Sequence, residues 1–413
     1  MARGARRRTR PLFAYWRAER RTLRQGLVAL LVGTLAALVA GVTLGSITET
    51  LEALPGLIIL VPAAAGMRGT IFGALGARLG TSIHAGLFEI SSSRTGVLYQ
   101  NVVTSVVTTL GSSLYLAGLA KLAAVAFGLR SISFLDFVTI SMVGGILGSA
   151  VVLGFTVLMS VVSYRRGYDL DTVATPLVTA AGDMTTVPTL FLATFLVRVG
   201  WLNAAIAAVA IAVTLWALVS AARSDLPQAR RAMVEMVGVI VLTPLLDILA
   251  GTVVEARLER FLALPGLLVV IPPLVSNAGA LGGILSSRLS SKLHLGTLDP
   301  RGRPQGPALL DASLVLGLGL AAFTAVGVLA LGVSALAGMA HPGAPVMIGG
   351  TLLAGIIALV VTVVVSYYVA VLTARFGLDP DNHSVPVITS VMDLAGVLSY
   401  LFVLTVLGVA PHG

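Results

Sequence analysis

Residues 167–183 read GYDLDTVATPLVTAAGD, and residues 377–393 read GLDPDNHSVPVITSVMD. Gly167, Asp169, Asp171, Pro176, Thr179 and Asp183 return as Gly377, Asp379, Asp381, Pro386, Thr389 and Asp393, every pair 210 positions apart. The chain is therefore a tandem repeat. Each copy sets two acids in a short polar loop, opens an apolar helix, and places a third Asp twelve residues beyond the second. At about 1.5 Å rise per residue, that Asp lies about 18 Å past the loop, near the middle of a bilayer about 30 Å thick. A carboxylate there is costly unless it faces a partner, a bundle interior or a water-filled path, which makes Asp183 and Asp393 functional candidates. The plainer account is a protonated Asp bonded to a neighbouring helix, but a packing bond has no need to occur twice in one register.

Composition agrees with a membrane setting. Of 413 residues, 57% are hydrophobic and only 11% charged, with a mean hydropathy of +0.98. A soluble protein has about a quarter charged residues. With no Cys in the chain, disulfides, thiolate metal sites and a Cys nucleophile are excluded, so any metal must be held by oxygen or imidazole. The net charge of +9 has a local origin: nine of the 27 Lys and Arg are Arg3, Arg6, Arg7, Arg8, Arg10, Arg17, Arg20, Arg21 and Arg24. A basic cluster directly before an apolar span reads as a cytoplasmic anchor against anionic lipid headgroups, not as a nucleic-acid site. The span behind it is of full membrane length, unlike the short core of a signal peptide.

Outward from the motif, the apolar segments are Gln25–Ile47, Leu57–Leu79, Val97–Phe127, Phe134–Tyr164, Thr175–Phe195 and Asn203–Ala221, and a second set follows from Glu235. The second segment is interrupted by Pro62, Gly66, Arg68, Gly69, Gly73 and Gly76, which predicts burial against other helices or the lining of a cavity. Arg78, His84 and Arg94 are assigned to a polar connection. Gly144, Gly145 and Gly148 form a GxxxG-type packing face. Leu264-Pro265-Gly266, Pro272, Gly279, Arg288, Leu289 and His294 answer Leu54-Pro55-Gly56, Pro62, Gly69, Arg78, Leu79 and His84 at the same offset of 210. Asp247 stands where the first repeat has Ala37 and reads as a structural hydrogen-bonding group or as a coupling-ion or proton group.

The expected fold is an all-α polytopic membrane protein of about 11 spans. Two five-helix repeats run in parallel orientation, are joined by one connecting transmembrane helix, and are related by a pseudo-twofold axis along the membrane normal. The segmentation is a basic cytoplasmic arm at 1–24, repeat 1 at 25–200, a connecting helix and basic loop at 201–234, and repeat 2 at 235–413. With the N-terminus inside, only Lys121, Arg130, Arg198, Arg257 and Arg260 fall outside and Arg68 within, leaving 21 of 27 basic residues on the cytoplasmic side. That distribution obeys the positive-inside rule and suits a multi-pass protein of the plasma membrane.

If the axis passes between the fifth spans, Asp183 and Asp393 face each other and call for a divalent cation. Hard oxygen ligands suit Mg²⁺, Ca²⁺ or Mn²⁺, and a site with few carboxylates suits an ion that keeps its waters. Thr179 and Thr389 add hydroxyls. Pro176 and Pro386 are either first-turn prolines or breaks that free carbonyls toward the ion. Asp169, Asp171, Asp379 and Asp381 form either a cation-concentrating vestibule or helix caps.

This pattern of loop Asp, Pro, Thr and mid-membrane Asp, with LPG…P…G…R-L in the second span, resembles the transmembrane domain of the MgtE family of magnesium transporters. It is most similar to the fused two-repeat, solute-carrier-like branch. The resemblance implies a Mg²⁺ pathway between two five-helix halves with Asp183 and Asp393 at its central site, Mg²⁺ being cargo and no cofactor being needed. It also implies an internal pseudo-dimer with no obligatory partner chain, and no enzyme activity. The family often has Gly-Asn in the second span, whereas here Thr70 follows Gly69, Ala280 follows Gly279 and Asn277 is displaced. The soluble Mg²⁺-sensing domains of the bacterial channels have no counterpart. An exchanger of Mn²⁺, Co²⁺ or Ca²⁺ coupled to Na⁺ or H⁺ is the alternative. An intramembrane aspartyl protease also pairs two aspartates, but its Gly-x-Gly-Asp and Pro-Ala-Leu elements are missing.

Overall fold

The computed structural model describes residues 12, 14–91, 93–166, 170–224, 226–300, 302–376 and 380–409. Among these every regular element is helical: α1 (Arg20–Ser46), α2 (Thr48–Ala53), α3 (Leu57–His84), α4 (Val97–Ala126), α5 (Phe134–Arg166), α6 (Leu170–Val197) and α7 (Gly200–Ala222), then α8 (Pro227–Glu255), α9 (Leu258–Ala263), α10 (Gly266–His294), α11 (Gly306–Leu336), α12 (Thr351–Phe376) and α13 (Pro380–Val406). Eleven of the thirteen are long and apolar enough to cross a membrane, the exceptions being the six-residue α2 and α9. The chain is thus the all-α polytopic membrane protein that its sequence predicts.

The helices run past their expected ends. Arg78 and His84 lie inside α3, not in a connection, because the ring of His84 bonds the carbonyl of Gly80 four residues back at 2.9 Å, and His294 does the same with Ser290 at 2.8 Å. Pro62 and the glycines leave α3 continuous over 28 residues, with sixteen of them buried. The expected burial of this interrupted segment is therefore met by packing. Proline within a membrane helix is tolerated where neighbouring helices enclose it. Gly56 supplies the left-handed turn before α3 (φ 87°), a conformation that residues with a Cβ rarely adopt.

Two compact units emerge, residues 36–272 and residues 1–35 with 273–413, and both boundaries fall within helices. In the first, α3 packs against α4, α5, α6 and α8. In the second, α12 packs against α11 and α13. A helix turn at Pro345–Gly350 widens to π geometry before α12, where the first copy starts α5 with ordinary α-helix.

Tandem sequence and compact packing divide the chain differently. Helix α8 opens the second repeat in sequence yet covers α3 and α4 of the first. Its Gly251 lies so close to α3 that a Cβ there would be 2.5 Å from the carbonyl oxygen of Ile59. The matched contact exists in reverse, since Gly41 of α1 lies against the backbone of Val269 in α10. Both pairs are 210 apart, Gly41 with Gly251 and Ile59 with Val269. Each repeat thus lends its first helix to the second span of the other, through glycines that admit close backbone approach. Along α1 the opposite edge is lipid-like: Val28, Val32, Leu35 and Val39 are exposed at helical spacing while Leu30, Thr34, Ala37 and Leu38 are buried.

Candidate functional site

Each copy of the repeated motif opens a helix earlier than its sequence suggests. α6 begins at Leu170 and α13 at Pro380, so the backbones of Asp171 and Asp381 are helical and not in a loop. An acid in the first turn favours such a start because it faces the positive end of the helix dipole, and Pro380 stands where its missing N–H costs nothing. Asp169 and Asp379 lie outside the described residues, as do the side chains of Asp171, Asp381 and Pro176. Pro386 lies inside α13, half-buried.

Asp183 and Asp393 are half-buried along α6 and α13. Thr179 and Thr389 precede them by four residues, on the same helix face, a spacing that puts Cβ atoms about 5–6 Å apart. Both threonines pack on the interrupted second span. A Cβ on Gly69 would lie 4.0 Å from Thr179 Cγ2, and one on Gly279 would lie 3.1 Å from Thr389 Cγ2. The Thr389 hydroxyl donates to the carbonyls of Val385 at 3.1 Å and Pro386 at 2.9 Å. With its hydrogen so used, its oxygen lone pairs are left to face a donor or a cation.

The surroundings of this turn differ between copies. Gly182, beside Asp183, approaches α3 so that a Cβ on it would be 3.7 Å from Arg68 Cβ. Arg68 is 4% exposed and donates from Nη2 to the Gly144 carbonyl at 2.7 Å, while Nη1 has no partner among the described residues. Its guanidinium fills the space left by Gly148, whose added Cβ would be 2.5 Å from Arg68 Cζ. The three glycines of the expected packing face thus meet three helices: Gly144 meets Leu190 of α6, Gly145 meets Ser113 of α4, and Gly148 meets Arg68 of α3.

Asp247 on α8 is fully buried, with Oδ2 2.7 Å from where a Cβ on Gly66 of α3 would stand. Asn277 donates to Thr34 Oγ1 and to the Pro273 carbonyl, each at 2.8 Å, and so fastens α1 to α10. The hydroxyls of Thr104, Ser105 and Ser112 donate to carbonyls of their own helix three or four residues back. Among the described residues, no three His, Asp or Glu side chains gather as metal ligands. Carboxylate and hydroxyl oxygens one turn apart would suit a cation that retains water, which Mg²⁺ does because it dehydrates reluctantly.

A family model described as MgtE: Divalent cation transporter matches residues 61–193 and 271–403. The chain belongs to the MgtE family. Both matched segments run from the second span into the fifth, and both of their ends are 210 residues apart, so the family model finds the same internal repeat as the motif. No curated protein and no solved structure matches the chain. MgtE proteins form a family of divalent cation transporters and not of enzymes. Transport of divalent cations is accordingly the class of activity, and eleven spans make this MgtE chain an integral membrane protein.

Motif reading alone missed several residues of this MgtE chain. The Gly148 cradle for Arg68 escaped it, as did a bond from the Gly56 N–H to Glu255 at 2.8 Å. It also missed the cluster around Asp311. The signal available was the offset itself: Asn101 becomes Asp311, and Arg68 with Gly148 become Ala278 with Ala358.

Proposed function

We propose that this chain conducts Mg²⁺ across the plasma membrane, with its N-terminus on the cytoplasmic side, and that Asp183 and Asp393 each supply a carboxylate to the ion's route. The observation behind this reading is the Thr–Asp turn, built twice at a separation of 210 and packed each time on a second-span glycine, in a member of a divalent cation transporter family. Thr179 and Thr389 offer hydroxyl oxygens one turn before each carboxylate. Oxygen donors this sparse favour a partly hydrated ion, which distinguishes Mg²⁺ from the more readily dehydrated Ca²⁺. The acids of the two helix starts draw cations toward the mouth, and the 21 basic residues assigned to the cytoplasmic side orient the chain. No second chain is required in this reading.

The test is flux into proteoliposomes containing the purified protein, with Mg²⁺ against Mn²⁺, Co²⁺ and Ca²⁺. Mg²⁺ uptake that is competed weakly by Ca²⁺ supports the assignment; Ca²⁺ or Mn²⁺ flux that exceeds it removes Mg²⁺ as the cargo. Exchange for Na⁺ or H⁺ is the second reading, favoured by the fully buried Asp247, which stands against Gly66 of α3. Mg²⁺ flux that follows an imposed Na⁺ or proton gradient in the parent and not in Asp247→Asn selects it.

A further inference from the structure

Residues 14–18 form a helical turn that runs on into α1 through the bond from Glu19 N–H to the Tyr15 carbonyl at 2.9 Å. One face of this segment is bonded into the protein. Asp311, fully buried at the start of α11, accepts from the Tyr15 hydroxyl at 2.5 Å, from Arg288 Nε at 2.8 Å and from Lys292 Nζ at 2.5 Å. Arg288 also donates to Tyr15 Oη at 2.7 Å and to Glu19 at 3.2 Å. Trp16 Nε1 donates to Ser313 Oγ at 3.1 Å, and its ring occupies the space beside Gly317, where a Cβ would be 2.6 Å from Cη2. Two cations and two anions balance within this cluster.

The other copy has no such receptor. At the offset of 210, Asp311, Ser313, Gly317 and Lys292 correspond to Asn101, Val103, Val107 and Ser82. There Arg78 bonds Asn101 Oδ1 at 2.7 Å. Asp311, Ser313 and Gly317 therefore differ in the way that receives a phenol and an indole, and Lys292 adds a second cation on Asp311, while Arg288, which takes the Glu19 carboxylate, is retained as Arg78. The opposite face of the segment holds Arg17, Arg20, Arg21 and Arg24, all exposed, along one stripe of a helix that leads into the first membrane span. Four like charges within two turns repel one another unless an anionic surface lies against them.

We propose that residues 14–24 are a two-faced clasp. The inner face closes on Asp311, the outer face binds the anionic headgroups of the adjoining lipid surface, and engagement of the clasp, with the transport rate, rises with the anionic content of the bilayer. Lipid contact on the outer face presses Tyr15 and Trp16 into their sites, because both faces belong to one short helix. This rests on the proposed transport function only for its flux arm.

The experiment uses the full chain carrying Trp201→Phe and Trp216→Phe, which leaves Trp16 as the sole indole of three; both replaced residues are exposed, at 76% and 71%. In vesicles of phosphatidylcholine alone and with phosphatidylglycerol, at low salt, acrylamide quenching of Trp16 and Mg²⁺ flux are read together. Anionic lipid should halve the quenching and raise flux about threefold. The fourfold Arg→Gln variant at 17, 20, 21 and 24 should abolish both responses, and so should Asp311→Asn, which preserves the basic face and the side-chain shape. Gly317→Leu should expose Trp16 in every lipid. Quenching that ignores lipid charge, or a lipid response that survives the fourfold variant, overturns the proposal. Quenching requires no transport, so its outcome stands apart from that of the Mg²⁺ assignment.

Discussion

In the unit of residues 36–272, Gly148 cradles the guanidinium of Arg68, whereas the matching positions 358 and 278 of the other unit are both Ala. Likewise Gly145 meets Ser113 in one copy and Gly355 meets Phe323 in the other, with the glycine retained and its partner changed. The Thr–Asp turn and its second-span glycine are the same in both. Duplication has thus kept the Thr–Asp turn and changed the contacts around it, and at the Arg68–Gly148 pair one side grows where the other shrinks. A close-packed interior requires that compensation, since an uncompensated gain of volume forces backbone or rotamer shifts.

The largest expected effect tests whether the two turns are equivalent. Asp183→Asn and Asp393→Asn preserve shape and most hydrogen bonding but remove one charge each. Mg²⁺ flux should fall at least about tenfold for each, and to background for the double variant, a loss of about 1.4 kcal/mol or more in barrier terms. Flux measured on stably inserted protein settles it. A much milder loss for Asp183→Asn would mean that Arg68 has already set the first copy apart, and parental flux in the double variant would make both residues structural.

The next effect concerns the cradle. Gly148→Ala alone puts a carbon 2.5 Å from Arg68 Cζ and should cost about 1–3 kcal/mol through overpacking. Combining it with Arg68→Ala reproduces the pair found in the second copy. The double variant should be more stable than the sum of the single losses by about 1–2 kcal/mol, measured as thermal stability in detergent. Simple additivity would show that the Ala–Ala pair of the second copy is not the counterpart of the Arg–Gly pair.

The sequence made the scaffold legible because spans of apolar residues and a constant offset survive any change in side-chain partners. Helix number and the burial of the Pro62–Gly76 stretch followed from these alone. Helix ends did not: Arg78 and His84 continue α3 because their polar groups find partners in the helix or beside it, which hydropathy does not register. The exchange of α1 and α8 was hidden for a different reason, since a glycine that permits close approach does not say which helix approaches. The cluster on Asp311 was written only as a difference between copies, Asp for Asn at one polar position among many.

A smaller effect compares the exchanged first helices. Gly41→Ala and Gly251→Ala meet matched backbones, Val269 and Ile59, at closest distances under 3.0 Å. Each should destabilise by about 1–3 kcal/mol and by similar amounts. Thermal shifts differing more than about twofold would show that one of the two swapped contacts bears more of the packing than its twin.

The smallest expected effect is the response of the clasp to acid, and it separates the copy that binds the N-terminal segment from the one that does not. The hydrogen bond from Arg288 holds the Glu19 carboxyl below its ordinary value of 4.5, against a smaller opposing effect of burial. Tyr15 is pushed up to about 12, by burial first and then by its bond to Asp311 and the charge of that carboxylate. A carboxyl whose folded value is depressed contributes stability that is complete above the unfolded value and is lost as pH falls through the folded one. A phenol whose value is raised contributes stability that is complete below about 10 and is lost as pH climbs toward 12. Acrylamide quenching of Trp16 should therefore be flat between about pH 5 and pH 9 and should rise only below about pH 4. Glu19→Gln should shrink the acid limb, Asp311 remaining as the clasp's other carboxylate, while leaving the plateau nearly unchanged, because the Glu19 carboxyl is partly exposed and its pair with Arg288 is partly screened. A midpoint near neutrality, or an acid limb unchanged in Glu19→Gln, would mean that the clasp is governed by groups other than the Glu19–Arg288 pair.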